Sequence, residues 1–140
     1  MINQKEFFET PTFAPEILEY LQQRHLSLNN DYRMPPPQSN FSESCHYVYN
    51  EIANLCRKYG YEPKLFRVRG KKLAGEVNTK SLIPKRYQGR VVWGGHLVCV
   101  VGNTVLDPLV GIPLSMEEYA ETVFENPVDL REVNWESPQT

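Results

Sequence analysis

At 140 residues, with 41 % hydrophobic and 23 % charged side chains, the chain has the composition of one ordinary globular domain, and a net charge of −2 gives no overall pull towards nucleic acid. Three cysteines, at 45, 56 and 99, make no CxxC pair and no metal-ligand spacing, and their odd number leaves at least one free thiol in a monomer, which fits a reducing, cytoplasmic setting and calls for no metal or cofactor. The first residues lack the apolar core of a secretory signal, and no apolar run approaches the roughly 20 residues of a membrane span.

Ile17, Leu18, Tyr20 and Leu21 recur at helical spacing behind Pro15, which predicts a short amphipathic helix over residues 14–24. His25 then falls in a loop, and residues 27–40, with prolines at 35, 36 and 37, read as an extended connection. Val48, Ile52, Leu55, Cys56 and Tyr59 give the strongest helical pattern of the chain, over 42–59, with Arg57 and Lys58 before a stop at Gly60. Ser42 can cap it, while Asn40 with Glu43 is a rival capping box that starts it slightly earlier. Either start leaves Cys45 near the helix N-terminus.

Residues 63–69 alternate Leu65, Arg67 and Arg69 against Phe66 and Val68, the period of a half-exposed strand. Residues 70–90 read as a long basic loop with a helical turn around 79–83; nine of the fifteen basic residues lie between 64 and 90, and acids dominate 117–136. Residues 93–108 then read as two strands joined by a tight Gly102-Asn103 turn, with His96 opening the first and Asp107 closing the second. Ser115 with Glu118 is a capping box for a last helix over 115–124, whose inner face carries Met116, Tyr119, Ala120 and Val123. The tail from 128 can add an edge strand over 129–135.

Cysteine attacks as its thiolate, and a helix N-terminus lowers the thiol pKa; free first-turn amides there can also hold an oxyanion. Cys45 meets that condition, His96 can take and return its proton, and Asp107 can fix the imidazole tautomer. Trp93, Gly94 and Gly95, just before His96, are the residues beside which a substrate chain would pass. Each also has an ordinary reading: Cys45 as a small buried residue like Cys56 and Cys99, Asp107 as a turn residue before Pro108, the basic stretch as a solvated loop.

A cysteine at a helix start, a histidine on a strand and an aspartate at the end of the next strand resemble the minimal core of the papain-like cysteine enzyme superfamily. The similarity covers residues 38–124 and is greatest to transglutaminase-like proteins, bacteriocin-leader peptidases and papain-fold toxins that act as glutamine deamidases. It implies a single α+β domain over 1–140: a core at about 38–124 in which the nucleophile helix packs on a small antiparallel sheet, preceded by a helix and Pro-rich connection over 1–37 and followed by a tail over 128–140. It implies a Cys45-His96-Asp107 triad, with Gln38 or Asn40 completing the oxyanion hole. The expected activity is glutamine deamidation by a bacterial toxin or effector, with proteolysis, transamidation or a non-catalytic binding module as alternatives. Expected partners are a protein substrate and an immunity or inhibitor protein touching the 64–90 stretch, with neither nucleic acid nor membrane, and the setting is the cytoplasm or a target cell.

Overall fold

The computed structural model describes residues 12–31, 41–71, 82–87 and 92–133, with side chains described for 12–26, 47–71, 82–86 and 92–133. The elements run α1 (Pro15–Asp31), α2 (Phe41–Lys58), β1 (Lys64–Gly70), a 3-10 turn (Lys85–Tyr87), β2 (His96–Val101), β3 (Thr104–Leu106), β4 (Leu114–Ser115), α3 (Met116–Thr122) and β5 (Val128–Glu132). The strands form one curled antiparallel sheet in the order β4-β3-β2-β1-β5, so the α+β class read from the sequence is the class observed.

The sheet grows outward from the β2–β3 hairpin, in which Cys99 faces Leu106 and Val101 faces Thr104. β1 lies along the other side of β2, with Leu65 opposite Cys99 and Val68 opposite His96. The C-terminal third adds two more strands: β4 pairs locally with β3 through Thr104 and Ser115, and β5 pairs with β1 along Phe66 to Gly70, the longest-range pairing of the sheet. The expected edge strand therefore exists, at 128–132, and it is as much part of the sheet as the hairpin. β4 has no counterpart in the sequence reading, because two residues are too short to show a period.

α2 packs on β2 with the face its spacing predicts: Val48, Ile52 and Cys56 are buried, joined by Tyr49 and Ala53, while Leu55 is half-buried and Tyr59 lies exposed. The helix opens at Phe41, the earlier of the two expected starts. α1 lies against α2, and Phe13, Ile17 and Leu21 enter the same buried cluster as the sheet and the other helices. Glu16 accepts from Lys58 at 3.0 Å and from the Tyr59 hydroxyl, an exposed fastening of modest worth.

Two expectations are corrected here. α1 continues to Asp31 instead of ending near residue 24, because nothing in 25–31 forbids a helix and the proline restriction begins only at the residue before Pro35. Of the helical turn expected at 79–83, residues 79–81 lie outside the described residues; Leu82 and Pro84 bridge to Trp93 and Phe124, and a 3-10 turn follows at 85–87.

Leu21 is fully buried between α1 and the rest of the core, so Leu21→Ala should lower unfolding free energy by about 2–5 kcal/mol in urea titrations. A loss below about 1 kcal/mol would mean that α1 does not share the core.

Candidate functional site

The register of the hairpin builds the site. Cys99 faces Leu106, so the next step along β3 sets Asp107 opposite Val98, and His96 lies two residues on along the same face: a diagonal pair at the open end of the hairpin. The closed end depends on Gly102, which holds φ at 63°, a left-handed conformation that suits glycine in a two-residue turn. Nε2 of His96 donates to Oδ2 of Asp107 over 3.0 Å, and both side chains are almost wholly buried.

Two further donors complete the shell of Asp107. The Tyr119 hydroxyl donates to Oδ2 at 2.5 Å, and the Leu109 amide donates to Oδ1 at 3.0 Å. Tyr119 reaches inward because α3 starts where the sequence says it should: the Ser115 Oγ accepts from the Glu118 amide, which fixes the first turn and sets Tyr119 on the buried side. Burial by itself would raise the Asp107 pKa; the charge of His96, the hydrogen bonds from His96 and Tyr119, and the Leu109 amide outweigh it and hold the carboxyl below its ordinary value of 3.8. An ionised carboxylate only accepts, so Nε2 of His96 carries the proton and Nδ1 is the basic nitrogen of the neutral ring.

Trp93 is buried, with its ring centroid 5.0 Å from that of His96, and it exchanges two 2.8 Å backbone hydrogen bonds with Leu82. The indole thus walls one side of the imidazole. Gly94 keeps the expected openness: it is exposed, and a Cβ there would meet nothing within 4 Å. A Cβ on Gly95 would stand 3.8 Å from the Val68 carbonyl, ordinary contact.

The loop after Asp107 is braced from outside. The Val110 and Gly111 amides return to the Asp107 carbonyl at 2.9 and 3.2 Å. Gly111 has a φ of 90°, and a Cβ there would lie 2.8 Å from Cγ of His25, so only glycine lets α1 come this close. His25, expected in a loop without a role, is on α1 with Nδ1 2.9 Å from the Pro108 carbonyl and 2.7 Å from Nη1 of Arg86. Arg86 also donates to the Leu109 carbonyl at 3.0 Å. A carbonyl only accepts and a guanidinium only donates, so Nδ1 serves one of them at a time, according to its tautomer.

No family model matches the chain, and no curated protein or solved structure does.

Of the sequence-derived site residues, the structure joins His96, Asp107 and Trp93. Cys45 lies in the opening turns of α2, and its side chain is outside those described, as is that of His46; Gln38 and Asn40 lie outside the described residues. Cys56 and Cys99 are core residues, as expected, packed against each other between α2 and β2. The hydrogen bond between them and then burial push the Cys99 thiol well up, which keeps it protonated. Tyr119, His25 and Arg86 escaped the sequence reading as site residues. Only the placing of Tyr119 on an inward helix face pointed to any of them. Among the described residues no group of His, Cys, Asp or Glu is arranged to hold a metal, and no helix is long and apolar enough to cross a membrane.

Because the native carboxyl of Asp107 is held below 3.8, the native state binds fewer protons than the unfolded chain just below that pH. Its stabilisation is full above the unfolded value and is lost as pH falls through the depressed one. Tyr119→Phe removes one donor, so it should cost about 1.5–3 kcal/mol near neutral pH and move the acid limb of the stability curve to higher pH. Urea unfolding at a series of pH values reads both effects, and an unmoved acid limb would dissociate Tyr119 from the Asp107 charge.

Proposed function

We propose that the chain is a thiol-dependent acyl-transfer enzyme with a papain-like core, acting as a protein glutamine deamidase of toxin or effector type. The observation that carries the reading is the buried His96–Asp107 pair: a carboxylate held ionised by three donors fixes Nε2 of His96 as donor and so makes Nδ1 the proton acceptor. Cys45, near the start of a helix that packs on the histidine's own strand, supplies the nucleophile.

In this reading the Cys45 proton passes to Nδ1 of His96 and the thiolate adds to the carboxamide carbon. The oxyanion is held by first-turn amides of α2, with Gln38 or Asn40 as the completing side chain. The tetrahedral adduct expels nitrogen, which takes the proton from His96 and leaves as ammonia, and a thioester remains. Water, deprotonated by His96, adds to the thioester; the C–S bond breaks, the thiolate is reprotonated, and glutamine has become glutamate. Asp107 carries no proton in any step; it holds the ring and stabilises its charged form.

The depth of the imidazole supports a side-chain substrate. His96 is only 2 % exposed, and a slender glutamine side chain reaches such a group more readily than the middle of a backbone does. If an amine replaced water the same thioester would give transamidation, and a peptide carbonyl would make the enzyme a protease. An immunity or inhibitor protein is the further partner this reading carries, and a target cell the place of action.

Iodoacetamide should modify Cys45 much faster than the buried Cys56 and Cys99 near neutral pH, and Cys45→Ala should remove both the fast labelling and the activity. Asp107→Asn, which cannot hold the same tautomer, should lower kcat/KM by about 10²–10⁴-fold. Mass spectrometry of exposed proteins separates the outcomes, since deamidation turns an amide into an acid, transamidation adds the amine and proteolysis makes new termini. Uniformly slow labelling of all three thiols would point instead to the non-catalytic binding module.

A further inference from the structure

The outermost strand pair, β1 and β5, carries a groove of about 700 Å³ on the side of the sheet away from the hairpin, lined by Arg67, Arg69, Lys71, Arg131, Asp129 and Glu132 among others. Side chains alternate along β1, so Arg67 and Arg69 share a face with Leu65; Leu65 is buried while both arginines are exposed. The pairing register sets Arg67 directly opposite Arg131, and like charges directly opposite destabilise a sheet. The same register sets Arg69 opposite Asp129, whose Oδ2 lies 2.8 Å from Nε of Arg131, so the cluster is compensated in part and keeps an excess of positive charge.

The carboxylates in the groove offset only part of its cations. Asp129 is taken by Nε of Arg131 at 2.8 Å, and Glu132 leans towards Lys64 at 3.8 Å. Among the described residues, no carboxylate is within ion-pairing distance of Arg67, Arg69 or Lys71. Guanidinium groups grip carboxylates through paired N–H donors, and an open outer strand can also offer its backbone to an extended chain.

We infer that the β1–β5 groove is the docking surface for an acidic, extended segment of a partner protein, gripped by Arg67 and Arg69. Asp129 and Glu132 favour this occupant over a nucleic acid strand, whose unbroken line of phosphates would meet both carboxylates, whereas spaced glutamates can lie between them. The sequence pointed to residues 64–90 as a basic contact region; the structure gathers the patch from β1 and from Arg131, which comes from the acid-rich end of the chain. Docking here is independent of whether Cys45 is a nucleophile.

The test uses the full chain and three fluorescent probes: a peptide of about ten residues with alternating glutamates, the same peptide with glutamines, and an RNA strand of similar length. The glutamate peptide should bind, more weakly as salt rises, and the glutamine peptide should not. Arg67→Ser with Arg69→Ser should weaken it about ten-fold or more, while Arg57→Ser, an exposed arginine of α2, should not. Thermal unfolding of the double variant should stay close to the wild-type temperature, because relief of the Arg67–Arg131 pairing offsets loss of the Arg69–Asp129 pairing, and Cys45 labelling should be unchanged. The inference is overturned by no glutamate-specific binding, by equal binding to the double variant, by tighter binding of the RNA, or by a loss that accompanies earlier melting.

Discussion

A carboxylate removed from water must collect donors, and Asp107 collects them from three separate parts of the chain: the imidazole of β2, the hydroxyl of α3 and an amide of its own following turn. Each donor constrains an element. The hairpin must keep its register for His96 to reach, α3 must start at Ser115 for Tyr119 to point inward, and the turn at Pro108 must stay folded for Leu109 to donate. Removing one partner from such a group leaves a buried charge short of compensation, so hairpin, helix and loop hold their places together.

The same economy explains the brace supplied by α1. The Asp107 loop is largely buried, and its carbonyls at Pro108 and Leu109 are approached by His25 and Arg86. His25 comes from the first described helix and Arg86 from the 3-10 turn, so two distant stretches secure a loop whose only chemistry is to aim one carboxylate. Gly111 completes the arrangement by the atoms it lacks, letting the imidazole of His25 sit where a Cβ would stand.

The two ends of the sheet are used differently. At the hairpin side both faces are buried, and polar groups such as His96, Thr104 and Asp107 are enclosed. At the β5 side one face stays open and concentrates arginines, including a pairing of like charges across strands. An enclosed, charge-compensated interior and an open edge with an excess of cations suit different work: the first suits control of a proton, the second suits contact with another molecule.

The local grammar of the chain was legible in its residues. α2 follows from apolar positions three and four apart, the hairpin from Gly102-Asn103 between apolar runs, and the start of α3 from Ser115 and Glu118, because each depends on neighbours in sequence. The candidacy of His96 and Asp107 was legible for the same reason, since one short hairpin brings them to the same end. What only the tertiary structure decided is everything that needs a partner far along the chain: Tyr119 as a donor and not merely a core ring, His25 and Arg86 as a brace, β5 beside β1, and Arg131 facing Arg67. No periodicity records those contacts, because a side chain's role there is set by what packs opposite it and not by what precedes or follows it.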